Sequence, residues 1–268
     1  MTETRGPSGQ RHGDLTTVLP ELLVNAGATH VLVETVSRAA SFHGGDYSPE
    51  AQAITGQARI EHRERGFGFW EFAIRSAAAA DSETRRTLLE GALRHAGHDP
   101  ALRTEMSVDE LRTSLLGGIW QRLPPRSMVS LCSTVRRHDG TSAHLPMLDL
   151  GLPATDPHSE AASVDALEAL GLTGALFTSG RSFHFVADAL VAIDEMVPLL
   201  ARAQLLSPVI DYRWTAHQLI DGECRLRIST DVERDTAPHR LVRSLTPQSS
   251  RDGGPAAPFP HQPRSGAR

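Results

Sequence analysis

The sequence predicts an α+β protein in which helices pack against a β-sheet. Three observations lead to that class. The second half alternates in the order strand, strand, helix, hairpin, helix, strand. The first half holds a β-branched run, ATHVLVETVS, and later capped amphipathic stretches. With 268 residues, 40% of them hydrophobic, the chain is long enough for one large core or two small ones, and it contains no internal repeat.

Residues 1–13 are polar and contain glycine, and residues 246–268 are rich in Pro, Gly and Ser; both are expected to be disordered. The folded part divides into an N-terminal α/β part (14–127), expected to complete the sheet, and a second part (128–245). ATHVLVETVS reads as a buried strand and GFGFWEFAIR as an aromatic strand. Phe67, Phe69, Trp70 and Phe72 of the latter suit core packing better than a base-stacking platform. Asp81 caps a helix carrying Leu88, Leu89, Ala92 and Leu93, with Gly97 at its C-terminal end. Ser107 and Glu110 form a capping box ahead of Leu111, Leu115, Leu116 and Ile119, and Pro124 and Pro125 stop that run.

SMVSLCSTV and HLPMLDLGL read as strands, and ASVDALEALG as a short helix closed by Gly171. GALFTSG and RSFHFVA read as a hairpin meeting at a Ser-Gly turn. A helical stretch spans Asp188 to Leu206, with Pro198 as a kink or break. SPVIDYRW and CRLRIST read as two more strands; alternation sets Arg225, Arg227 and Ser229 opposite Leu226 and Ile228.

Composition excludes several classes. Cys132 and Cys224 are far apart and neither belongs to a CxxC pair, which argues against a disulfide framework or a zinc knuckle and fits a reducing cytoplasm. No apolar run approaches about 18 residues, and no signal-peptide pattern opens the chain, so no membrane association is expected. A net charge of -5 gives no global basic field. The sequence has no lysine, so phosphate contacts must come from Arg, His, Ser, Thr or backbone N–H groups. Its Gly-rich pieces, HGGD and GFGF, fit neither a P-loop nor a dinucleotide fingerprint, and GxSxG is absent. His95 and His98 read as solvated residues of a helix end, and His138 and His144 as loop residues.

Three short motifs carry the chemistry. LPMLDLG places Asp149 at the end of an apolar strand; TSGRSFHFV sets Ser182 and His184 two residues apart on one strand face; SPVIDYRW ends an apolar run with Asp211. Alone, each is commonplace. In this order they resemble the signatures of the archaeo-eukaryotic primase superfamily, and within it the primase 1D-like group. The resemblance covers about residues 128–243; SGRSFH is its most specific piece, and RLRISTDVERDTAPHRLV resembles the segment after the third motif.

The resemblance implies an RRM-like catalytic core, a mixed or antiparallel sheet with flanking helices, in residues 128–245. It implies a nucleotidyltransferase that joins nucleoside triphosphates on a single-stranded DNA or RNA template, using two Mg²⁺ or Mn²⁺ ions about 3.5–4 Å apart. Asp149 and Asp211 would hold metal. His184, with Ser182, would hold the triphosphate, and Arg181, Arg225 and Arg227 would neutralise phosphate charge. The sequence departs from the family in one place: Gly151 stands where a second acid is expected, and Asp156 is the nearest substitute. Two readings follow: a primase-polymerase working with a helicase or accessory subunit, or a catalytically degenerate relative that binds nucleotide or nucleic acid in a mobile-element or defence module. A chance match would instead leave Asp149, His184 and Asp211 scattered beyond roughly 10–12 Å.

Overall fold

The structure is a computed structural model that describes residues 14–37, 47–65, 68–94, 100–118, 127–229 and 239–246. Asp14 opens the first helix by accepting the Thr17 backbone N–H at 3.1 Å, and α1 (Leu15–Asn25) then buries Leu15, Leu19 and Leu23 one turn apart. Strand β1 (Ala28–Ser37) precedes three helices, α2 (Pro49–Arg65), α3 (Phe69–Ala77) and α4 (Ser82–Leu93). Next come β2 (Arg103–Ser107) and α5 (Val108–Leu116). The predicted capping box starts α5: Ser107 Oγ accepts the Glu110 N–H at 3.2 Å, and Glu110 accepts the Ser107 N–H at 2.7 Å.

The second half supplies β3 (Ser127–Arg137), β4 (Ser142–His144), β5 (Met147–Leu150) and α6 (Ser159–Ala169). It continues with β6 (Gly174–Thr178), β7 (Phe183–Ala187), α7 (Ile193–Gln204), α8 (Tyr212–Asp221), β8 (Arg225–Arg227) and β9 (Arg240–Leu245). Every strand pairing among the described residues is antiparallel. One sheet runs β2-β1-β3-β4, with β8 also on β3; the other runs β5-β7-β6-β9. The α+β class read from the sequence is the class of this fold.

The two sheets share one hydrophobic core, in which Leu131 and Val135 of β3 join Met147 and Leu148 of β5 and Phe177 and Phe185 of the second sheet. Helices α2, α3 and α4 bury smaller clusters of their own, around Trp70 with Ala58, Ala73 and Ala92, and around Ala51, Ala77 and Leu88. Arg213 ties this group to α8: its guanidinium donates to the Ala92 carbonyl at 2.6 Å and lies 5.3 Å over the Trp70 ring.

Several readings change, among them His144, read as a loop residue, which ends β4. GFGFWEFAIR is not a strand; residues 69–77 form α3. Its buried residues Trp70, Ala73 and Ala77 recur at helical spacing, and that face outweighs the β preference of the aromatics. Phe67 lies outside the described residues, as do His95, His98, Gly97, Ile119, Pro124, Pro125 and nearly all of both predicted tails. HLPMLDLGL is two strands, β4 and β5, in different sheets. The chain changes sheets at Leu145 and Pro146, where the Leu145 N–H is given to Ser133 and the Pro146 carbonyl accepts from Ala187. SPVIDYRW is not a strand beyond an isolated bridge from Ile210 to Leu150, and Asp211 instead caps α8. In addition, the stretch predicted for residues 188–206 is helical over 193–204, with Pro198 inside α7.

Candidate functional site

The register of β5 against β7 pairs Asp149 directly with His184. Paired residues of antiparallel strands point to the same face, so the side chains meet, with His184 Nε2 3.7 Å from Asp149 Oδ1. The third motif arrives from the far side of β5. Ile210 bridges Leu150, and the Asp211 N–H donates to the Asp149 carbonyl at 3.0 Å. Asp149, His184 and Asp211 are thereby brought together.

Their electrostatics are unusual. Asp149 keeps 28% of its side-chain surface open, yet the protein packed around it pushes its carboxyl up to about 8, with the like charge of Asp211 adding to the effect and Arg227 opposing it. His184 is buried and its pKa falls well below the usual histidine value, through burial first, then the neighbouring His239 and Arg227. Both shifts favour the uncharged forms: a carboxyl that holds its proton more tightly than usual beside an imidazole that resists gaining one.

Asp211 has a second task. Its Oδ1 accepts the backbone N–H groups of Arg213 and Trp214, each at 2.9 Å, because it is the N-cap of α8. Part of its capacity as a ligand is therefore already engaged.

The remaining predicted residues divide. Ser182 is half-buried, and its hydroxyl lies 3.0 Å from that of Ser179 in the turn between β6 and β7. Arg181 is exposed on that turn. Arg227 clamps backbone, donating to the carbonyls of Ser179 at 2.7 Å and Ser229 at 2.6 Å, and so ties β8 of one sheet to the turn of the other. Arg225 points elsewhere: its guanidinium pairs with Glu34 at 3.2 Å and with Asp221 at 2.8 Å. Asp156 is an exposed turn residue whose carboxylate accepts the His158 N–H.

Gly151 occupies the position of the expected second acid, and its backbone explains the glycine. A Cβ there would lie 2.8 Å from the Pro208 carbonyl oxygen, closer than real side chains approach. The Gly151 N–H donates to the Val209 carbonyl at 2.9 Å, so the two segments are held in contact.

Reading the sequence missed His239, just ahead of β9. It is 3% exposed, its ring centroid is 5.0 Å from that of His184, and burial with the charge of Arg227 lowers its pKa to about 3. The signal was present as a histidine leading the alternating RLVRSL, but without recognition of β9 it had no place on the sheet.

The donor set can be tested against a pair of divalent cations. Among the described residues no three His, Cys, Asp or Glu side chains converge as a metal cluster. Two carboxylates are present, one raised in pKa and one engaged as a helix cap, with no room for a third at Gly151. They do not fit two cations; they suit one hard cation completed by phosphate oxygens and water.

No curated protein and no solved structure matches the chain. The family model described as archaeo-eukaryotic primase 1D-like matches residues 107–240, half of the chain, and that span contains Asp149, His184, Asp211, Arg227 and His239. The chain belongs to the archaeo-eukaryotic primase 1D-like family.

Proposed function

We propose that this primase-fold protein binds a nucleoside triphosphate, or the phosphate end of a nucleic-acid strand, in the Asp149–His184–Asp211 recess through one Mg²⁺ or Mn²⁺, and has lost efficient two-metal polymerisation. The observation carrying this reading is Gly151, whose Cβ position lies against the Pro208 carbonyl at 2.8 Å and leaves no space for the acid that a second cation needs.

Asp149 and Asp211 would hold the cation, which when bound neutralises phosphate charge. Asp149 would have to be ionised to take that role, and a divalent charge would stabilise its carboxylate against Asp211. Uncharged His184 serves as a hydrogen-bond donor to a phosphate oxygen. Ser182 and exposed Arg181 lie on the turn leading into β7 and reach the distal phosphates, whereas Arg227 contributes its field while fastened to backbone. Arg225 becomes a structural strut, because Glu34 and Asp221 already compensate it.

This reading suits a nucleotide- or strand-binding subunit beside a helicase or other catalytic partner in a mobile-element or defence module. The two buried free cysteines are compatible with a reducing cytoplasm. No described helix is long and apolar enough to cross a membrane.

The test is a fluorescence titration of ATP and dATP with and without Mn²⁺, on wild type, His184→Ala and Asp211→Asn, the last chosen because asparagine retains the helix cap. Mn²⁺-dependent binding that weakens at least about tenfold in both variants is expected, a change of about 1.4 kcal/mol, with no templated primer extension by wild type. Robust metal-dependent extension would reinstate the polymerase reading. Absence of nucleotide binding in every condition would remove the site.

A further inference from the structure

Helix α7 carries two apolar rows. Met196, Leu199, Leu200 and Ala203 enter the core, as the inner face of an amphipathic helix does. The outward face of such a helix is ordinarily polar. Here Ile193, Val197, Ala201 and Leu205 recur every fourth residue, and all four are exposed. Ile193 is 45% exposed, Val197 43%, and Leu205, the C-cap, 82%. Residues spaced by four share one side of a helix, so the four make a continuous stripe. Helix α7 packs on α8 and β4, and this outward stripe stays open to solvent.

The charges beside the stripe indicate what covers it. Asp194 stands in the first turn and Arg202 in the last; both are exposed, and neither side chain has an ion-pair or hydrogen-bond partner among the described residues. Stripe and charges are self-complementary under a two-fold axis. With a second copy of α7 laid antiparallel on the first, Val197 meets the partner's Ala201 and Ile193 meets the partner's Leu205, and each contact occurs twice. The small side chain of Ala201 lets the two helices approach closely. Asp194 then stands about 3 Å along the axis from the partner's Arg202, the rise of two residues. A parallel arrangement would set acid against acid and arginine against arginine, so charge selects the antiparallel one.

We propose that the outward face of α7 is a homodimer interface: a second copy of this chain pairs antiparallel across Ile193, Val197, Ala201 and Leu205, and Asp194 and Arg202 lock the two ends. The paired length of about 18 Å puts the contact at the small end of specific interfaces, so the dimer is weak, with Kd on the order of 10–100 µM. Leu205 also opens the segment that leads across β5 to Asp211, so the contact meets the chain just ahead of the candidate site.

The experiment is sedimentation equilibrium of the full chain over a range from about 5 to 500 µM, wide enough to bracket that Kd. Wild type is compared with Leu205→Glu, Asp194→Arg, Arg202→Asp and the double reversal Asp194→Arg with Arg202→Asp. All three positions are exposed, so the fold is retained, and circular dichroism checks it. Wild type should show a monomer–dimer equilibrium. Leu205→Glu and each single reversal should raise Kd about tenfold, because the two-fold axis counts every change twice. The double reversal should return Kd to within about threefold of wild type, a recovery that a merely weakened fold would not give. A wild type that stays monomeric throughout overturns the proposal and leaves the stripe to a partner of another kind. A dimer indifferent to all the substitutions overturns it as well, since association then uses another face. So does a double reversal no tighter than the single ones, which removes the antiparallel pairing.

Discussion

Adding a single methyl group at Gly151 tests the reasoning about the missing acid most directly. The new carbon would stand 2.8 Å from the Pro208 carbonyl oxygen, with the Asp211 backbone about 4 Å away. Retreat is restricted, because the Gly151 N–H is bonded to Val209, the Asp211 N–H to Asp149, and Ile210 bridges Leu150. Overpacking of this kind costs about 1–3 kcal/mol. The lower entropy of an unfolded alanine offsets about 0.4–1 kcal/mol of that. Taking the middle of each range, about 2 less about 0.7, a net loss of about 1.3 kcal/mol remains, which lowers the melting temperature by roughly 3–5 °C for a chain of this size. Thermal unfolding followed by circular dichroism on Gly151→Ala and Gly151→Asp measures it. The aspartate variant should lose at least as much as the alanine one, because its carboxylate arrives beside Asp149 and Asp211, and it should gain no primer extension. An unchanged melting temperature for Gly151→Ala, or new extension by Gly151→Asp, refutes the steric account.

Asp149 also gives the stability a pH signature. Its folded pKa of about 8 lies above the ordinary 3.8, so the unfolded chain ionises first and the fold loses stability as pH rises from about 4 to 8. Asp149→Asn removes that slope, so its melting temperature should exceed that of wild type by a widening margin across the window in a scanning-fluorimetry pH series; parallel curves would contradict the raised pKa. Arg225→Met takes a charge partner from Glu34, which is only 2% exposed and also lies 3.5 Å from Arg103. Breaking a buried pair on one side costs about 3–5 kcal/mol, read as a shift of the urea midpoint, and a loss below about 1 kcal/mol would mean that Arg225 does not neutralise the cluster.

Legibility in the sequence followed the range of the interactions. The capping box at Ser107 and Glu110, the β3 strand and the Ser-Gly hairpin all depend on neighbours within a few residues, and each could be read directly. Helix α3 was misread because its aromatics carry a strand preference while its burial pattern carries a helical one. Helix α2 has a weak apolar stripe, with alanines and a buried threonine at its core-facing positions, so its periodicity was faint. At the site, chain order grouped Asp149, His184 and Asp211, and the strand register sets the first two opposite each other. Three facts could not be read from order: the carbonyl facing Gly151, the cap made by Asp211, and the ring of His239 against His184. The carbonyl and the ring join segments far apart in sequence; the cap is local, to Arg213 and Trp214, and is hidden because SPVIDYRW carries the apolar run of a strand.

The Gly151 and Asp211 departures have a single cause in the fold. The segment 207–211 crosses the end of β5, where the Val209 carbonyl accepts the Gly151 N–H, and then turns into α8. The same approach that presses Pro208 onto Gly151 also aims the Asp211 carboxylate at the first turn of α8, where it accepts two N–H groups. A helix cap contributes about 1 kcal/mol, and the bridge from Ile210 to Leu150 adds backbone pairing, so the fold gains stability from the arrangement that leaves the proposed cation site short of ligands. Substituting one residue does not undo this, because a new acid at Gly151 meets the carbonyl while Asp211 stays on its cap. Two-metal chemistry would require residues 207–211 to move away from β5, and the hydrogen bonds from Gly151 to Val209 and from Asp211 to Asp149 oppose that motion.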